Sequence, residues 1–105
     1  MRTDKIPPQA LDVERTILGS MMTDSKAAAA VIGLLTEEAF YSSANGKIFS
    51  SMCDMSRKSI PIDIVTLSEE LKKKSWLDSI GGEMYLGEIA ESFVTAANVK
   101  HYAEI

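Results

Sequence analysis

The sequence predicts an all-α fold, a compact multi-helix arrangement around one core. Three observations carry this expectation. Apolar residues recur at spacings of three, four and seven along most of the chain. Residues that favour helix starts precede these stretches, and Gly or Pro interrupts them. Strand-like alternation is confined to one brief stretch at 60–65.

Residues 1–7 read as an extended arm, because a residue preceding proline is pushed out of the α region and Pro7-Pro8 follows. Pro8 suits the first turn of a helix. From Pro8 to Met22, the residues Val13, Ile17 and Met21, with Leu11, Leu18 and Met22 alongside, make one broad apolar face. Gly19 inside that helix costs about 1 kcal/mol relative to Ala, a cost that close approach of a neighbouring helix would offset. Asp24 or Ser25 is expected to cap a second helix reaching about Leu35. The run Ala27–Ala30 favours it, Ala having the best helix propensity. Thr36 is expected to cap a short turn, with Glu37 and Glu38 at the positive end of its dipole, that delivers Phe40 and Tyr41. Asn45-Gly46 reads as a turn or a helix start, and Ile48, Phe49, Met52 and Met55 follow at helical spacing.

A loop is expected around Pro61, with Ile62, Asp63 and Ile64 extended. Thr66-Leu67-Ser68-Glu69 fits a capping box with Thr66 at the N-cap. The helix it opens runs to about Lys74 and buries Leu67 and Leu71. Lys72, Lys73 and Lys74 then read as a solvated helix end that complements the dipole. Gly81-Gly82 breaks the chain before a helix carrying Tyr85, Leu86, Ile89 and Phe93. Thr95 is expected to cap a last helix in which Val99 and Tyr102 share a face with Asn98 and Ile105. No stop signal follows this pattern, which predicts that the chain is part of a longer one.

Composition excludes several classes of function. The chain has 105 residues, 46% hydrophobic and 25% charged, as expected of one small ordered domain. Eleven basic against fifteen acidic residues give a charge of −4, an unfavourable start for binding a polyanion. No stretch approaches the roughly 18 apolar residues of a membrane span, and the first nine residues lack the apolar region of a secretory signal. A cytoplasmic location is the expectation. Cys53, the one cysteine, lies beside Met52 and near Met55 and reads as a small buried hydrophobe.

The search for chemistry gives no catalytic, cofactor-binding or metal site. One Cys and one His cannot by themselves assemble the usual zinc donor sets, and His101 reads as a surface residue. A phosphate-binding loop needs Gly, four residues, then Gly-Lys-Ser/Thr. The one Gly-Lys pair, Gly46-Lys47, is followed by Ile48, and Tyr41 stands where the first Gly is required. Gly81-Gly82 has no cation near it in sequence and reads as a chain break. The pairs Glu37-Glu38 and Glu69-Glu70 sit near helix starts, where dipole effects account for them.

An ordered set of segments resembles the N-terminal domain of DnaB-type replicative helicases. These are IPPQALDVERTILGSMMTD (6–24), EEAFY (37–41), KIFSSM (47–52), IPIDIVTLSEELKKK (60–74), GGEMYLGEI (81–89) and TAANVKHYAEI (95–105). The fourth is the most specific, through Pro61, Ile62, Asp63, Val65, Thr66, Leu67 and Leu71. Asn45 departs from the family pattern, which often has His there.

The resemblance implies a globular head over residues 1–94 and, over 95–105, the start of the first helix of a helical hairpin. It implies a non-catalytic collar that oligomerises as a hexamer, a trimer of dimers, and docks primase, with a helicase loader as a further candidate partner. ATP, magnesium and single-stranded DNA would belong to a separate C-terminal motor domain, and no cofactor to this chain. Val99, Tyr102 and Ile105 are the expected oligomer interface. The alternative is a stand-alone helical DNA-binding protein using Thr66–Lys74 in a helix-turn-helix, which would need basic side chains along a groove-facing side.

Overall fold

A computed structural model describes residues 8–103 as backbone and the side chains of residues 10–93. The expected arm at 1–7 lies outside the described residues. Five helices follow in order: α1 (Pro8–Thr23), α2 (Ser25–Leu34), α3 (Ser43–Arg57), α4 (Ile64–Lys73) and α5 (Gly82–Ala103), with a 3-10 turn at Glu37–Ala39 between α2 and α3. Among the described residues there is no strand, and the fold is all-α as expected.

α1 packs lengthwise on α5, with α2 folded back on α1 and α3 and α4 closing the other side. The core is drawn from all five helices, α2 giving only Ala28 in full. Leu18 and Met21 from α1, Ile48, Phe49, Met52 and Met55 from α3, Leu67 and Leu71 from α4, and Leu86 and Ile89 from α5 are essentially inaccessible. Phe40, delivered by the 3-10 turn, stacks tilted on Phe49 with ring centroids 5.0 Å apart. Tyr85 is only half-buried, whereas Phe40, Phe49, Leu67, Leu71, Leu86 and Ile89 are buried. On α1 the buried stripe runs through Glu14, Leu18, Met21 and Met22, and Val13 points outward, 56% exposed. The apolar face read from the sequence was therefore centred slightly off the true one.

Gly19 sits where α1 and α5 touch. A Cβ on it would lie 2.5 Å from the Ile89 carbonyl oxygen and 2.7 Å from Phe93 Cβ. The backbones meet at a distance that only a missing side chain permits.

The caps explain where helices begin. Asp24 caps α2 by accepting from the Lys26 amide at 2.9 Å. Ser42 caps α3 by accepting from the Asn45 amide, which places Asn45 and Gly46 inside the first turns of that helix. Thr36 holds the N-cap of the 3-10 turn without a side-chain cap bond. The capping box of α4 lies three residues earlier than expected. Asp63 is the N-cap and accepts from the Thr66 amide at 2.9 Å, while Thr66 Oγ1 accepts from the Asp63 amide at 3.0 Å. Thr66 is thus the third helical residue and Ile64 is helical, not extended. An ionised Asp accepts hydrogen bonds only, so it suits the N-cap, whereas the Thr hydroxyl can reach back.

α3 and α4 end alike. After the C-caps Lys58 and Lys74, Ser59 and Ser75 take φ of 60°. The amides of Ile60 and Trp76 donate to the carbonyls of Met55 and Leu71, each at 2.9 Å. These are Schellman closures with serine at the left-handed position that glycine prefers. The turn before α5 closes the same way, with Gly81 at φ 111° and Gly82 at 74°. α5 then runs unbroken from Gly82 to Ala103, so no new helix starts at Thr95. Thr95-Ala96-Ala97 contains no breaker, and one Thr inside a helix costs less than about 0.7 kcal/mol.

Two changes test this packing. Gly19→Ala should destabilise the chain by about 1–3 kcal/mol, the range for forcing extra volume into a packed contact, read as a lower urea midpoint. Ser59→Gly should stabilise it by about 0.5–1 kcal/mol, by relieving the left-handed strain, read in the same assay as a higher midpoint.

Candidate interaction surface

The described residues hold no group of three or more His, Cys, Asp or Glu side chains placed to bind a metal ion. The side chain of His101 lies outside the described residues. The Cys53 thiol is half-buried, and burial pushes its pKa up, away from thiolate chemistry.

Polar organisation inside the fold centres on Glu14. Its carboxylate, 9% exposed, lies at the N-terminal end of α3. It accepts from the Tyr41 amide at 2.5 Å, from the Ser42 amide at 3.3 Å and from Asn45 Nδ2 at 2.8 Å. Asn45 Oδ1 in turn accepts from the Tyr85 hydroxyl of α5 at 2.5 Å. Burial pushes the Tyr85 phenol pKa up, which keeps it a donor. A negative charge at a helix N-terminus is favoured by the dipole and by free amides. The network joins α1, α3 and α5, so Asn45 has a structural task that its type fits: one amide group both donates to Glu14 and accepts from Tyr85.

The surface outside this network carries the candidate function. No charged residue occurs between Lys26 and Glu37. α2 accordingly shows solvent an apolar face of Ala29, Ala30 and Leu34, the last 81% exposed, with Gly33 beside them. A helix that is apolar all round usually has partners all round, and Ala28 alone of its residues is fully buried. Beside α2 a groove of about 560 Å³ is lined by Met22, Ala28, Ile60, Pro61 and Ile62 among others. A second hollow of about 470 Å³ lies between Met22, Ile64, Val65 and Ala90. Val65 and Met84 add exposed apolar surface at 67% and 79%. Sequence reasoning passed over α2 as an alanine-rich helix; the signal it carried was the charge-free stretch.

The backbone at Val99 and Tyr102 belongs to α5, while their side chains, and Ile105 entirely, lie outside the described residues. α4, which a DNA-binding reading would have used for recognition, turns Leu67 and Leu71 into the core. It carries its lysines only at its C-terminal end. No helix of the described residues is long and apolar enough to cross a membrane.

The fold defines the class first: a compact all-α domain whose distinctive surface is apolar. Residues 6–105 match the family described as the DnaB-like helicase N terminal domain, and the chain belongs to that family. It is 39% identical to the replicative DNA helicase DnaB of Geobacillus stearothermophilus over 103 residues, 98% of this chain and 23% of that protein. It is 34% identical to the replicative DNA helicase DnaC of Bacillus subtilis over 97% of this chain and 22% of that protein. The chain thus spans under a quarter of the length of these relatives. The crystal structure of the N-terminal domain of DnaB helicase from Mycobacterium tuberculosis superposes with a TM-score of 0.80. The identity is 35%, covering 93% of this chain and 71% of that one.

Glu14→Gln tests the network. It replaces one acceptor oxygen by a donor facing donors, and should cost about 1–3 kcal/mol, measured by chemical denaturation with the helical circular dichroism of the folded state retained.

Proposed function

We propose that this chain is the N-terminal collar domain of a hexameric, ATP-dependent replicative DNA helicase. It would hold subunits together and dock primase, without catalysing a reaction itself. The observation that carries this reading is the family match over residues 6–105 together with the 0.80 TM-score to a DnaB N-terminal domain. The apolar outer face of α2 beyond Lys26 supports it, since an apolar helix face in water is stabilised by a partner.

In this reading residues 1–94 are the head and 95–105 begin a helical hairpin. The unbroken run of α5 from Gly82 to Ala103 supports a first hairpin arm that begins within the head. Val99, Tyr102 and Ile105 form the subunit contact. ATP and magnesium serve the motor domain, through which single-stranded DNA is mainly bound. Docking primase on the collar raises its effective concentration beside the emerging strand. A helicase loader would be a further partner of the same ring, and its place is the cytoplasm.

Tyr102→Asp should weaken self-association of the chain by about tenfold, equivalent to about 1.4 kcal/mol, as read by sedimentation equilibrium. An association constant unchanged by Tyr102→Asp and by Val99→Asp would place the contact elsewhere. In the whole protein, loss of primase co-sedimentation on deleting this domain, with ATP hydrolysis retained, supports the docking role; primase bound without the domain refutes it.

A further inference from the structure

Four of the eleven Lys and Arg residues, Lys47, Arg57, Lys58 and Lys74, meet on one seam of a chain whose net charge is −4. On α3, Lys47, Asp54 and Arg57 are spaced by seven and three, which puts them on one helix face. Lys58 follows at the C-cap. α4 lies antiparallel beside this face, because Lys58 pairs with Glu70 at 3.2 Å while Asp54, earlier on α3, pairs with Lys74 at 2.5 Å. The next residues carry the seam on: Trp76 lies under Lys74 Nζ at 5.0 Å and Lys47 Nζ at 5.8 Å from its ring centroid. From Lys47 to Lys58 the seam is about 16 Å long, at 1.5 Å per residue.

The anions within it have fixed tasks. Glu70, 4% exposed, holds Lys58 and Lys74 from below. Asp54 is gripped by Lys74 and Arg57, and the Lys74 hydrogen bond holds its carboxyl below the usual range. Four cations thus meet two carboxylates along the seam. The outer cations stand in water: the side chains of Arg57 and Lys58 are 71% and 56% exposed.

We propose that this seam binds an acidic segment of a partner protein, one that presents carboxylates at intervals over about 16 Å. Two features favour a peptide over a nucleic acid. A base would have to stack on Trp76, whose ring already carries two ammonium groups. A phosphate backbone presents closely and evenly spaced charge, which Asp54 interrupts, whereas separate carboxylates can fall on either side of it. The seam uses α3 and α4 and does not depend on the α2 face or the far part of α5.

Trp76 is the one tryptophan in the chain, so its emission reports on the seam directly. The intact chain is titrated with a synthetic helical peptide of about eleven residues, carrying Glu at every third or fourth position. A thymidine oligonucleotide of equal charge is the rival probe. The expected result is a saturable emission change with the peptide at lower concentration than with the oligonucleotide. Lys47→Glu with Lys58→Glu should weaken peptide binding by about tenfold or more, and Arg57→Glu, at an exposed side chain, should weaken it several-fold, while Lys26→Glu on α2 leaves it unchanged. Absence of a saturable change, equal or tighter binding of the oligonucleotide, or indifference to both reversals in folded protein overturns the proposal.

Discussion

The contact of α1 with α5 at Gly19 is the constraint on which the other contacts depend. With no side chain between them, the Gly19 backbone approaches the Ile89 carbonyl directly. That spacing brings Leu18 and Met21 against Leu86 and Ile89 in one dry layer. It also puts Glu14, one turn earlier on α1, and Tyr85, one turn earlier on α5, on the same side of the pair. Asn45 can then bridge them at 2.8 Å and 2.5 Å. A helix pair held further apart would leave the Glu14 carboxylate buried with fewer donors, an arrangement that low dielectric makes costly.

What the sequence made legible follows the strength of each local signal. The period of Ile48, Phe49, Met52 and Met55 placed the core face of α3 correctly, because four large side chains at helical spacing admit one burial solution. Gly19 read as a close approach for the same reason: few other causes put glycine in mid-helix. The start of α4 was misplaced because Asp63 and Thr66 are both good capping residues, and Glu69 completed the wrong box. Their rank is decided by the loop geometry that Pro61 imposes, where Thr66 Oγ1 also donates to the Pro61 carbonyl at 2.7 Å. The break expected at Thr95 rested on one residue type with no breaker beside it.

The surface was less legible than the core. Lys72–Lys74 read as a solvated helix end, yet Lys74 crosses to α3 and binds Asp54 and Ser51, partners twenty and more residues away. Sequence spacing along one helix carries no information about such a crossing. The Glu14–Asn45–Tyr85 network was equally hidden, each residue being unremarkable alone. The family resemblance, carried by ordered blocks, reached the domain's identity where local physics gave only its class.

α5 is 22 residues long, and its first turns, from Tyr85 to Ile89, are seated in the core. A continuous helix of this length spans about 33 Å. No glycine or proline follows Gly87 within it, so two common causes of a kink are missing there. It therefore works as a lever: a sideways push on the distal end arrives at the Gly19 crossing as a torque on the whole head. Reorientation of the head and displacement of the far end are one mechanical event, with no hinge between them to absorb the motion.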